Sequence, residues 1–363
     1  MVKDPSAPTI RVSMQRIKTL CLLLFVAISV NLSAQDIHFS QFYMSPLNLN
    51  PALTGVMNCN SRISVNYRNQ WASILGSNAF RTYNVSYDQR IAVGRNDFFG
   101  IGGTFWGDRA GEADFATTTG KISLSYSKKM GGGRNYGNYL VVGAEGGVAQ
   151  RSLNFLALRW GTQHDGEGGF DINAPSGENG FDRDQFLFAD MAAGLLWFMV
   201  FDENNSLYLG GAFHHLNRAD QSFSSEEDDL LYSRYTVHAG GEFMINSRFG
   251  LVPGVIVMSQ GPSFQVNAGT SAKFLLNGGR NSSTQAFQIG VWSRVSNRVE
   301  SGVLNDALIL STRFDVDNFS LGFSYDVNVS PLKDATNNNG GFELALQYKI
   351  CGQQRRGVYC PTF

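Results

Sequence analysis

Two neighbouring histidines, His214 and His215, are the first residues to test for chemistry. Neighbours on a strand point to opposite faces, so the pair cannot share a metal ion and reads as structural. The run EEDD at 226–229 reads as a solvated loop tip. The stretch HDGEGGFDINAPSGENGFDRD at 164–184 combines oxygen ligands with glycine turns, which suits Ca²⁺, and Asp171, Asn173 and Glu178 are its candidate ligands. Its spacing is not that of an EF-hand, so a polar surface loop is the simpler reading, and no cofactor is expected. There is no GxSxG, no HExxH and no phosphate loop; GIGGTFWG at 100–107 carries glycines but starts inside a strand and opens no helix. A Ser/His/Asp group assembled across a wall stays open in principle. The chain therefore reads as non-enzymatic, and its charged residues need another explanation.

That explanation starts from periodicity. In RISVNYR (62–68), Ile63, Val65 and Tyr67 share one face while Arg62, Ser64, Asn66 and Arg68 share the other. In DNFSLGFSYDVN (317–328), Phe319, Leu321, Phe323, Tyr325 and Val327 stand opposite Ser320, Gly322, Ser324, Asp326 and Asn328. KISLSYSKK and GFELALQYKI repeat the pattern, which is that of strands with one apolar and one polar face. Fourteen such segments are predicted: 60–68, 80–90, 97–107, 116–129, 137–151, 189–201, 205–216, 234–246, 249–259, 262–275, 284–295, 303–315, 317–328 and 340–350. Their polar faces collect Arg62, Arg68, Asp88, Glu145, His238, Glu242, Arg294, Arg313, Asp326, Glu343 and Lys349. Mixed signs of this kind read as a lumen packed with compensating charges.

The solvent on the apolar face follows from composition and processing. Charged residues are 16% and aromatics 12%, low and high for a soluble domain, and no later window is apolar enough for a membrane helix. Residues 1–34 carry Arg16 and Lys18, an apolar run from Leu20 to Val30, and small residues up to Ala34: a secretory signal peptide, with Met14 an alternative start. Its removal takes four basic residues and one acidic residue, leaving 25 Lys and Arg against 29 Asp and Glu, so nucleic acid is not an expected partner. Cys21 leaves with it. Cys351 and Cys360 bracket a short tail and are a candidate disulfide pair, which would leave Cys59 unpaired.

Tight turns at 202–205, 246–248 and 315–318 alternate with long connections at 152–188, 217–233 and 329–339. An even strand count with this asymmetry predicts an all-β fold: a fourteen-stranded antiparallel transmembrane barrel at 60–350 in a Gram-negative outer membrane. Long loops would face outside and both termini the periplasm, with a periplasmic tail at 351–363. Residues 35–59 stand apart. QFYMSPLNLNPALTG (41–55) is apolar, but Pro46 and Pro51 each remove a backbone donor and no period of two runs through it. It is expected to plug or line the lumen at the periplasmic mouth, with Phe42, Tyr43, Leu47 and Leu49 filling space and Asn48 and Asn50 satisfying backbone groups.

SQFYMSPLNLNPALTG (40–55), YRNQW (67–71), VSYD (85–88), LGFSYDVNVSPL (321–332), GGFELALQY (340–348) and the closing YCPTF resemble the PorP/SprF family of type IX secretion outer-membrane proteins. The resemblance spans 36–363. It implies a barrel that helps secreted proteins, including gliding adhesins, reach or stay on the cell surface by recognising their C-terminal secretion domain, alongside other type IX components. It supplies no catalytic residues. The NPA element also resembles the amino-terminal segment of FadL-like fourteen-strand barrels, which makes a channel for small hydrophobic molecules the alternative.

Overall fold

The computed structural model describes residues 36–352 except 95, 134–135, 167–168, 178–181, 203–204, 226–227, 278–284 and 298–301, and every structural statement below refers to the described residues. The expected signal peptide, the tail from 353 onward, Cys360, Glu178 and the first half of the EEDD run lie outside them.

Fourteen strands form one closed antiparallel barrel. In chain order they are β1 (Ser61–Gln70), β2 (Phe80–Val93), β3 (Asp97–Ala110), β4 (Phe115–Gly132), β5 (Gly137–Ser152), β6 (Gln185–Val200) and β7 (Ser206–His214), then β8 (Arg234–Met244), β9 (Phe249–Gln260), β10 (Ser263–Asn277), β11 (Gln285–Asn297), β12 (Val303–Val316), β13 (Phe319–Asn328) and β14 (Asn339–Ile350). Each strand pairs with its sequence neighbours, and β1 closes the ring on β14 from Ser61↔Ile350 to Gln70↔Gly341. Closure leaves no strand edge unpaired, which is the condition for a sheet to stand in hydrocarbon.

The alternation read from the residues sorts them by face. Arg62, Ser64, Asn66 and Arg68 of β1 are buried, while Val65 is exposed. On β13, Ser320, Ser324, Asp326 and Asn328 are buried, and Phe319, Leu321 and Phe323 are exposed. The wall is thus apolar outside and polar inside, the inverse of a soluble protein. Exposed Ile122, Val148, Leu187, Val237, Ile289 and Leu310 have no core to join, and lipid is the solvent that suits them.

The connections at 71–79, 153–184, 215–233 and 329–338 all fall at one end of the barrel, whereas 94–96, 245–248 and 317–318 turn at the other. For brevity these are the long-loop end and the turn end. Two expectations need correction. Cys351 bonds Cys59, not Cys360. Cys59 lies two residues before the start of β1 and Cys351 directly follows β14, so ring closure sets their Cα atoms 4.3 Å apart. His214 and His215 do not point to opposite faces, because β7 ends at His214 and His215 takes a left-handed backbone (φ 56°), and both side chains are buried. The expected termini lie outside the described residues, which begin and stop at opposite ends of the barrel: β14 stops at the turn end, and Asp36 sits at the long-loop end, hydrogen-bonded through its N–H to Gln260 at the top of β9.

Candidate functional site

Residues 36–60 hold the richest set of contacts with inward-facing groups. Their local form follows from the prolines. Pro46 opens a single helical turn, Pro46–Leu49, and Pro51 opens a 3-10 turn, Pro51–Leu53, each at a position where the missing N–H costs nothing. Asn50 joins the two turns: its Oδ1 accepts from Ala52 N–H at 2.9 Å, capping the second turn. Asn48 Nδ2 donates to Ser45 Oγ at 2.9 Å. The sequence is too broken for a strand or a long helix, so its remaining backbone groups must find partners on the wall.

They do so in three clusters. In the first, at the long-loop end, Ser40 N–H and Gln41 N–H donate to the two oxygens of Glu343, at 2.7 and 2.9 Å. Arg68 bridges Glu343 and Asp326 at 3.2 and 2.8 Å, and Arg294 reaches the same Asp326 oxygen at 2.7 Å and Ser40 Oγ at 2.6 Å. Four buried charges of balanced sign thus close around two backbone amides and a hydroxyl of the segment. In the second, at the turn end, Arg62 pairs with Asp88 through Nε and Nη2 at 3.0 and 2.9 Å; Arg62 also donates to Leu53 carbonyl, and Gly55 N–H donates to Asp88 at 2.7 Å.

The third cluster holds the start of the segment. Asp36 contacts His215 Nε2 at 2.7 Å and Arg234 at 3.0 Å, and His215 Nδ1 lies 2.9 Å from Asp190, which pairs with Lys121 at 2.7 Å. Lys121 also bridges to Glu145, which stands 3.7 Å from His214. Burial opposes charge on Asp36, but His215 and Arg234 outweigh it and hold the carboxyl well below its usual range. Burial likewise opposes charge on His215, yet Asp36 and the hydrogen bonds to both carboxylates raise it to about 9. His38 goes the other way: burial, with Arg68 and Arg294 nearby, pushes it well below the ordinary histidine value.

Between the clusters the contacts are apolar or to bare backbone. Phe42 meets Trp292 edge-on and Tyr43 stacks on it, with ring centroids 5.6 and 5.5 Å apart. Asn50 Nδ2 donates to the carbonyls of Leu195 and Gly211, each at 3.1 Å, and lies 3.1 Å from His238 Nε2. Glycines of the wall make this approach possible. A Cβ on Gly143 would fall inside the backbone of Pro51 and Ala52, one on Gly100 inside the Thr54 carbonyl, and one on Gly194 inside the Asn50 amide.

Other sequence-singled residues lie elsewhere. Glu242 pairs with Lys273, and Arg313 with Asp315 at 2.8 Å; these wall groups answer each other, and Lys349 is half-buried beside them. Tyr43, Tyr208, Val252, Glu242, Trp292 and Arg313 line a cavity there, about 480 Å³ including space open to solvent. Its wall is where β8–β9 pairing lapses between Gly240↔Gly254 and Phe243↔Leu251, because Pro253 has no N–H to give. Asp171 accepts from Asn173 N–H in a local turn, and no group of three His, Cys, Asp or Glu side chains with metal-binding geometry is found among the described residues. Asp36, Ser40, Gln41, Lys121, Asp190 and the glycines of the wall were not singled out from sequence. SQF at 40–42 and the glycines on otherwise polar strand faces were the available signals.

A closed fourteen-stranded antiparallel barrel, apolar outside and polar inside, defines an integral outer-membrane β-barrel protein. Residues 31–348 match the family described as type IX secretion system membrane protein PorP/SprF, and the chain belongs to that family. It is accordingly an outer-membrane component of type IX secretion. No curated protein matches the chain. Among solved structures it is similar to the Ralstonia pickettii toluene transporter TbuX (10% identity, 85% of this chain and 93% of that one, TM-score 0.41). It is also similar to the CymD monoaromatic hydrocarbon channel (10%, 89% and 96%, TM-score 0.44) and to a bacterial polysaccharide outer membrane secretin (10%, 81% and 99%, TM-score 0.38).

Proposed function

We propose that this barrel is a non-catalytic binding component that receives a secreted surface protein, such as a gliding adhesin, through that protein's C-terminal domain, for export or surface anchoring. The observation that carries the reading, beyond family membership, is the concentration of long connections at one end of a barrel whose interior contacts are taken up by residues 36–60. In this reading, a segment seated among the inward-facing groups suits a barrel that grips a partner rather than passing one. In this reading the long-loop end faces outward, the connections 153–184, 215–233 and 329–338 form the grip, and the turn end with Cys351 faces the periplasm. Phe42, Tyr43, Pro46, Asn48, Asn50 and Pro51 then serve as a plug, held by Arg62, Arg68, Asp88, Arg294, Asp326 and Glu343.

The test is purification of the tagged barrel from outer membranes, followed by mass spectrometry. A secreted protein should co-purify, and should be lost when its C-terminal domain is removed or when 215–233 is replaced by a short turn. Recovery of neither a secreted substrate nor another type IX component would overturn the proposal. The cavity at Tyr43, Tyr208 and Trp292 favours a second reading, a channel for small hydrophobic molecules. That reading requires an apolar molecule in organic extracts of the purified barrel and its loss on Gly254→Trp.

A further inference from the structure

Residues 36–60 begin and finish at opposite ends of the barrel. At the start, Asp36 is held by Gln260, the last residue of β9, by Arg234, the first of β8, and by His215, directly after β7. All three positions mark the long-loop end. At the finish, Asn60 N–H donates to Ile350 carbonyl, where β14 stops, and Cys59 is bonded to Cys351. The partners in between descend in order. Ser40 and Gln41 meet Asp326 and Glu343 near the tops of β13 and β14, and Met44 carbonyl accepts from Asn66 midway along β1. Asn50 then meets Leu195 and Gly211, Thr54 carbonyl accepts from Ser125 Oγ at 2.6 Å, and Gly55 meets Asp88 in the lower part of β2. Exposure follows the same order: Asp36, Ile37 and His38 are partly exposed, and the side chains from Phe39 to Leu53 are largely buried.

We infer that residues 36–60 are threaded through the barrel from the long-loop end to the turn end, so that Asp36 and Ile37 stand beside the long connections. Taken with the orientation proposed above, on which the word "surface" rests, this puts Asp36 and Ile37 at the cell surface. They then lie beside Arg234 and the 215–233 connection, on the face proposed to grip a partner. A second consequence concerns assembly. A ring closed by β1–β14 pairing and by a disulfide cannot readily be threaded afterwards, so residues 36–60 must be in place before the ring closes.

The experiment uses the full chain with a short hydrophilic epitope inserted immediately before Asp36, within 215–233, or after Gly352, and antibody binding to intact and permeabilised cells. The first two epitopes should be accessible on intact cells and the third only after permeabilisation. If the 215–233 epitope is accessible and the one before Asp36 is protected, the threading inference is overturned. If both are protected while the one after Gly352 is exposed, the threading stands and the proposed orientation fails. Should an insertion before Asp36 prevent assembly, Ile37→Cys and Leu230→Cys with a membrane-impermeant maleimide make the same comparison, and divergent labelling of the two overturns the inference.

Discussion

The two sides of the lumen treat buried charge differently. Around β13, β14, β1 and β2, the groups Asp326, Glu343, Arg68, Arg62 and Asp88 reach across to backbone or side chains of residues 36–60. Around β8, β10 and β12, Glu242 pairs with Lys273 and Arg313 with Asp315, wall to wall, beside a cavity. The first set is incomplete without the segment; the second is complete without it. Charge compensation inside this barrel is therefore two things at once, a structural property of the wall and a set of docking contacts for residues 36–60. Only the second should respond when the segment is disturbed.

Removing the segment tests that division most severely. Deletion of 36–55 strips Glu343 of two N–H donors and Asp88 of another, and empties the space held by Phe42, Leu47 and Leu53. The expected result is failed assembly or a large rise in single-channel conductance in planar bilayers. A barrel that stays closed would show that the segment does not seal it. Next in size is Arg62→Met, which leaves Asp88 buried and without its cation. Loss of one member of a buried pair costs ~3–5 kcal/mol, whereas Lys273→Met, at a more open pair, should cost visibly less. Denaturant midpoints of the two variants give the comparison, and equal losses would erase the distinction between the two sides.

Smaller effects are expected from the glycines. Gly143→Val forces Pro51 and Ala52 off the wall, and overpacking of this kind costs ~1–3 kcal/mol. Gly146→Val on the same strand adds a Cβ that meets nothing within 4 Å, and it should leave stability nearly unchanged. Thermal unfolding followed by the gel-mobility shift of folded barrels separates the two. A null result for Gly143→Val would mean that the segment yields more easily than its contacts imply.

How far the residues alone could lead is visible at particular positions. The strands were legible because a period of two needs no long-range information: Arg62, Asp326 and Glu343 announce an inward face by their immediate neighbours. The disulfide was less so. Cys59 and Cys351 are 292 residues apart and meet because the predicted barrel closes β1 on β14, a consequence that has to be carried from the strands to the cysteines flanking them. The broken segment 41–55 could be recognised as something other than a strand, but its direction could not. That direction depends on Asp36 finding His215 and Arg234, and His215 was misassigned because its left-handed backbone departs from strand geometry. Glycines on polar faces carried the missing signal. Their meaning emerges only when a second backbone lies against them.

The weakest perturbation is also the most selective, because it acts at Asp36 alone. His215 lies between Asp36 and Asp190, with Arg234 and Lys121 as the nearby cations. Its raised value means that its contribution is complete below the unfolded value of about 6.5 and is lost as pH rises through about 9. Asp36 is depressed, so its share is present above about 3.9 and is lost as pH falls below that. The hold on the start of the segment should therefore be firmest between about pH 4 and 6.5. Maleimide labelling of Ile37→Cys, corrected for thiolate fraction with Leu230→Cys, should accelerate several-fold as pH passes 9. With His215→Gln the acceleration should vanish, because the neutral amide has no proton to lose. If labelling stays flat with His215 in place, the start of the segment is held by Arg234 and Gln260 alone, and the cluster around His215 belongs to the self-sufficient wall.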